Sequence, residues 1–125
     1  MEELTGIFRG LSNPDRLRIV YLLAKSKQSL CVCEIVDALD LPQYQVSKHL
    51  QTLRRLDLIE SHREGRWAYY SLARTGRVKR LAGFLIDVVA PQEMRVEMGR
   101  LRGELALREG GRCTVKARKA KREPG

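Results

Sequence analysis

The stretch Asp40-Leu41-Pro42-Gln43-Tyr44-Gln45-Val46-Ser47-Lys48-His49-Leu50-Gln51-Thr52-Leu53-Arg54-Arg55-Leu56 decides the fold. Val46, Leu50, Leu53 and Leu56 recur at helical spacing, so one face of this segment is built to be buried. The other face shows Gln43, Gln45, Ser47, Lys48 and Gln51. Upstream, residues 31–39 read as a shorter amphipathic helix, and only Asp40-Leu41-Pro42 separates the two. Two short helices across so tight a turn predict a helix-turn-helix. After Leu58-Ile59 the period changes. IESHREGRWAYYSL (59–72) reads as two strands turning at Glu64-Gly65, with aromatics on the second. The expected fold class is mainly α with a β-hairpin wing, a winged helix-turn-helix.

Working outward, Glu2–Leu11 can form a first helix with Leu4, Ile7, Phe8 and Leu11 on one face. Asn13-Pro14-Asp15 is a helix start, with Asn at the cap, Pro at the first position and an acid in the first turn. Leu17, Val20, Tyr21, Leu23 and Ala24 make the inward face of that helix, and residues 25–28 are a polar break. Val78, Leu81, Leu85 and Val88 mark another helix, closed by Ala90-Pro91. A last helix carries Met94, Met98, Leu101 and Leu105; Gly99 and Gly103 weaken it, so it needs a partner surface. The expected organisation is a winged unit over 1–90, a C-terminal helix over 91–111 and a basic tail over 112–125 that carries Cys113.

With 125 residues the chain suits one domain. Hydrophobic residues at 43% and a mean hydropathy of −0.35 describe an ordinary soluble protein. The longest apolar run, 81–89, contains Asp87, so no membrane partner is expected. The N-terminus MEELTGIFRG is acidic and lacks the order of a signal peptide, which points to the cytoplasm, where thiols stay reduced. Net charge is +9, of which the tail 112–125 supplies +5, and such a balance favours a nucleic-acid partner. Two scattered histidines and no acid–base or phosphate-binding motif leave no enzymatic reaction to write.

In a winged unit the second helix enters the major groove of double-stranded DNA. Gln43, Gln45 and Ser47 have side chains that meet base edges. Lys48, Arg54 and Arg55 are placed for phosphates, while Arg63 and Arg66 flank the hairpin tip and reach an adjacent groove or backbone. Tyr44 either packs on the turn or meets DNA. His49 adjoins the apolar stripe, which leaves it between a packed histidine and a phosphate contact, and His62 reads as a strand residue.

Cys31 and Cys33 fall in the first turn of the helix expected over 31–39. At about 100° per residue, an undistorted helix points them to nearly opposite sides, so both cannot face its core. A helix N-terminus favours thiolate, the form that binds metal, and sulfur-only ligation selects soft, thiophilic ions.

LSNPDRLRIVYLL (11–23), LCVCEIVDAL (30–39), VSKHLQTLRRLDLI (46–59) and REGRWAYYSL (63–72) together resemble, in order, the ArsR/SmtB family of metal-responsive repressors. The resemblance implies a homodimer, its interface built from the first helix and helix 77–90. It also implies that CVC is the inducer site, for As(III) or Sb(III), with Cd(II)/Pb(II) as the alternative. Two departures bear on this. The third cysteine of the similar arsenic sensors falls here at Val36, and residues 1–30 lack the cysteines used by the cadmium and lead sensors. The family's zinc sensors use histidine and acidic ligands on the dimer helix, and 78–89 has Asp87 and no histidine. The remaining thiol, Cys113, is expected to join Cys31 and Cys33, the alternative being a spectator thiol with a small-molecule thiol or water completing the ion's shell. A helix over 91–109, about 28 Å long, would carry it to its own site or the partner's. Bringing Cys31 and Cys33 to one ion requires the first turn of helix 31–39 to unwind or bend, and that distortion is the expected route to release from the operator. Other readings are a thiol redox or persulfide sensor pairing Cys31 or Cys33 with Cys113, and a constitutive DNA-binding protein with inert thiols.

Overall fold

The computed structural model describes residues 1–110. Its elements run α1 (Glu2–Leu11), α2 (Pro14–Ser26), β1 (Leu30–Cys31), α3 (Val32–Leu39), α4 (Gln43–Arg55), β2 (Ile59–Glu64), β3 (Trp67–Leu72), α5 (Gly76–Val88), a 3-10 turn (Pro91–Met94) and α6 (Arg95–Ala106). Expected Cys113 and the rest of the basic tail lie outside the described residues.

The start of α2 follows its sequence signal: Asn13 Oδ1 accepts the backbone N–H groups of Asp15 (2.9 Å) and Arg16 (3.1 Å), with Pro14 at the first helical position. The turn between α3 and α4 is made by Asp40, which takes the left-handed conformation (φ 56°) that aspartate tolerates, and by Leu41 N–H donating to Val36 O. Pro42 then caps α4. Val46, Leu50 and Leu53 are buried, as are Ile35, Ala38 and Leu39 of α3, so the apolar stripes of the two helices share one core. The wing pairs Ile59↔Leu72 through Glu64↔Trp67, which centres the hairpin turn on Gly65-Arg66, one residue beyond the expected Glu64-Gly65. Gly65 sits there because φ is +61°, a value that costs glycine little.

Two further differences from expectation concern the thiols. Cys31 is not helical: it ends β1 and caps α3 with φ −86° and ψ 164°. β1 adds a third strand to the wing, in the order β1-β3-β2, with Leu30 opposite Tyr70 and Cys31 opposite Tyr69. The C-terminal helix is also shorter than 91–109, because Pro91 opens a 3-10 turn and α6 spans only Arg95–Ala106. Instead of projecting away, α6 packs along α3. Met94 and Leu101 are buried, and Met98 and Leu105 lie against the same core, so the glycine-weakened helix finds its partner surface there. Elsewhere, Ile7 and Leu11 of α1 and Val78 and Leu85 of α5 are buried. Leu4, Phe8, Phe84 and Val88 remain exposed. Among the described residues no helix is long and apolar enough to cross a membrane.

Candidate functional site

The extended backbone at Cys31 changes what the two thiols can do. As the cap of α3, Cys31 turns its side chain back over the first turn, and the Cys31 and Cys33 sulfurs stand 2.9 Å apart. The opposite-facing arrangement expected of a continuous helix 31–39 is therefore overturned, and no unwinding is needed to bring the sulfurs together. Two thiolates on one ion with bonds of about 2.3 Å stand about 3.3–3.8 Å apart at angles of about 90–110°, so a small opening of the pair admits a single soft ion. Cys31 is buried against Tyr69, and Cys33 and Trp67 pack on that contact. Among the described residues no cluster of three Cys, His, Asp or Glu is preassembled for a metal.

Two residues around the sulfurs escaped the sequence reading. Glu34, at the third helical position, completes a capping box: its Oε1 accepts the Cys31 N–H at 3.0 Å. Arg108, just past the end of α6, forks onto the same carboxylate, Nε to Oε2 at 2.7 Å and Nη2 to Oε1 at 2.6 Å. Its Nη2 also donates to Ser29 O at 2.7 Å, and the guanidinium lies 5.6 Å from the Tyr69 ring centre. Burial pushes the Glu34 carboxyl above its ordinary range, against the hydrogen bond from Arg108; Glu34 in turn holds Arg108 above its own. Cys-x-x-Glu over 31–34 is a capping-box spacing with sulfur in place of a hydroxyl, so Glu34 had a signal. Arg108, 74 residues away, had none.

The thiol site adjoins the exposed face of α4 and the tip of the wing. Cys31, Cys33, Gln43, Arg66 and Trp67 line one cavity of about 150 Å³, between the N-terminus of α4 and the wing tip. On α4, Gln43, Tyr44 and Lys48 are exposed, Gln45 and Ser47 are half-buried, and Gln45 Nε2 donates to Tyr44 Oη at 3.3 Å. Tyr44 is 64% exposed, so it does not pack on the turn. Arg54, Arg55, Arg63 and Arg66 are exposed. His49 takes the packed alternative: its ring is held between Asp15 (Nε2 to Oδ2, 3.9 Å) and Arg16 (Nδ1 to Nη1, 3.3 Å) of α2. Burial lowers its pKa from the ordinary 6.5, with Arg16 adding and Asp15 opposing. His62 stacks on Tyr69 with ring centres 5.6 Å apart.

Residues 13–61 match the family model described as bacterial regulatory protein, arsR family. The chain is 38% identical over 80 residues to an uncharacterized HTH-type transcriptional regulator of Methanocaldococcus jannaschii, covering 64% of this chain and 88% of that protein. It is 39% identical over 66 residues to an arsenic resistance transcriptional regulator of Pseudomonas putida, covering 53% of this chain and 51% of that one. A cadmium resistance transcriptional regulatory protein of Listeria innocua is 37% identical over 67 residues, covering 54% of this chain and 56% of that one. The chain thus spans about half the length of these two resistance regulators. The solved homodimeric winged helix-turn-helix DNA-binding domain of a possible ArsR-family regulator from Mycobacterium bovis superposes with TM-score 0.63 at 29% identity, covering 75% of this chain and 84% of that one. These relatives are transcriptional regulators, not enzymes, and on this fold and these matches the chain belongs to the ArsR family of bacterial regulatory proteins.

Proposed function

We propose that the chain is a homodimeric repressor that leaves its operator when a thiophilic ion, As(III) or Sb(III) in the first place, is bound by Cys31 and Cys33. The observation that carries this reading is the 2.9 Å approach of the two sulfurs at the joint between the wing and the helix-turn-helix. Cys31 is paired to Tyr69 in the wing, and Cys33 belongs to α3, which packs on α4. Any adjustment of the sulfurs around an ion therefore reaches both DNA-contacting elements, which gives the ligand a differential free energy between two conformations. A coupling of about 1–3 kcal/mol lowers operator affinity some 5- to 150-fold.

In this reading Gln43, Gln45 and Ser47 meet base edges, Tyr44 lies beside them, and Lys48, Arg54, Arg63 and Arg66 meet phosphates. The partner copy covers the exposed Leu4, Phe8, Phe84 and Val88 of α1 and α5. Cys113 supplies the third thiolate. Arg108 anchors the chain beside its own Cys31 only five residues earlier, which favours ligation within one protomer over ligation across the dimer. The donor set also suits Cd(II) or Pb(II), and the sulfur contact itself supports a second reading as a thiol redox sensor. Titrating an operator duplex selected from a random pool with As(III), Sb(III), Cd(II), Pb(II), Zn(II) and a disulfide reagent separates these. Release by arsenite or antimonite under reductant supports the proposal, and release only by the oxidant supports the redox reading. Sedimentation at micromolar concentration reads the dimer.

A further inference from the structure

Arg108 touches the loop before Cys31, the helix after it and the strand opposite it. It grips the loop before the cysteine at Ser29 O (2.7 Å) and reaches Gln28 Oε1 at 3.4 Å. It forks onto both oxygens of Glu34 in the helix after it. It also covers Tyr69, the strand residue opposite Cys31. Glu34 passes the constraint on, since the oxygen that meets Arg108 Nη2 also takes the Cys31 N–H. The side chains are 1% and 11% exposed for Glu34 and Arg108.

A buried ion pair of this kind gives little net stability compared with a well-packed apolar pair, and its best-attested use is to specify one arrangement. The arrangement specified here is the extended Cys31 backbone that sets sulfur against sulfur. We propose that Arg108 is a positioning residue for the thiol pair, acting through Glu34, so that the C-terminal helix is a working part of the inducer site. This rests on the sensor reading above. It assigns a role to a region beyond residues 13–61, the part matched by the family model. Arginine is needed because its planar fork engages a carboxylate and a backbone carbonyl together, which a lysine ammonium cannot do in the same geometry. Docking of α6 through Leu101, with Met94 of the preceding 3-10 turn, brings Arg108 to the thiols.

The test uses the full chain as wild type, Arg108→Lys, Arg108→Gln and Glu34→Gln/Arg108→Gln; the last leaves no charge stranded and keeps an acceptor for Cys31 N–H. Arsenite binding is read from the emission of Trp67, the single tryptophan, which packs with Cys33 on the Cys31–Tyr69 contact. Operator affinity is measured separately with no arsenite present. Arg108→Gln and the double variant are expected to need at least tenfold more arsenite for half-saturation, with Arg108→Lys in between. All variants are expected to bind operator within twofold of wild type. Wild-type arsenite binding in the double variant overturns the inference, as does an equal loss in arsenite and operator affinity, which would make the pair merely structural. A wild type that ignores arsenite, antimonite and cadmium refutes the sensor reading and this inference with it. A responsive wild type with unaltered variants refutes this inference alone.

Discussion

Glu34→Ala removes the carboxylate at the centre of the thiol site, and its cost can be worked from what it leaves behind. Arg108, with its side chain 11% exposed, loses both charge-assisted hydrogen bonds to the carboxylate, while its contacts with Ser29 O, the distant Gln28 and the Tyr69 face remain. Stranding one partner of a buried ion pair costs about 3–5 kcal/mol. The Cys31 N–H, on a residue 2% exposed, loses its acceptor, and such an orphan costs about 1–3 kcal/mol by itself. The two losses share one carboxylate, and the arginine can swing toward exposed Gln28, so they do not add in full. The expected destabilisation is about 3–5 kcal/mol, against a total of about 5–15 kcal/mol for a domain of this kind. Urea unfolding followed by Trp67 emission reads it directly. With a slope of about 1–3 kcal/mol per molar, even the lower figure moves the midpoint by about 1–3 M. Glu34→Gln/Arg108→Met should recover most of the loss, because it restores an acceptor for Cys31 and strands no charge. A Glu34→Ala midpoint equivalent to less than about 1 kcal/mol, or a double variant no better than the single, would refute this account of the pair.

On α4, Gln45→Ala and Ser47→Ala should each weaken selected operator DNA by about 1–3 kcal/mol and leave random DNA nearly unaffected; equal losses on both would make them backbone contacts. The His49 shift predicts a pH signature. Its folded pKa lies below the ordinary 6.5, so the unfolded chain binds the proton more readily, and this contribution to stability is present above about 6.5 and lost as pH falls through the lowered folded pKa. His49→Gln should flatten the acid side of the stability profile relative to wild type, and an unchanged slope would contradict the packed placement. Cys113→Ser should raise the arsenite needed for half-saturation at least tenfold and take bound arsenic from three sulfur neighbours to two by X-ray absorption. Unchanged coordination would remove Cys113 from the site.

The helix-turn-helix and wing were legible because their signals are local. Val46, Leu50 and Leu53 repeat at a helical period, Asn13-Pro14 caps a helix, and Gly65 marks a turn. The state of Cys31 was not legible. A two-residue strand has no alternation to detect, and its partner Tyr69 lies far along the chain. The residue looked like helix because the apolar pattern of 32–39 runs straight into it. The same limit hid Arg108: Gly99 and Gly103 showed that α6 needs a surface, but only the fold shows that the surface is α3 and that the helix delivers a guanidinium to Glu34.

The central claim is that Cys31 and Cys33 sense the inducer without taking part in holding DNA. Fluorescence anisotropy of a selected operator duplex, titrated with arsenite against wild type, Cys31→Ser and Cys33→Ser, tests it most directly. Serine is nearly the size of cysteine but a poor ligand for a soft ion, so all three proteins are expected to bind operator equally in the absence of arsenite. Arsenite should release wild type and leave both variants bound. Release of either variant at the wild-type arsenite concentration would contradict the account.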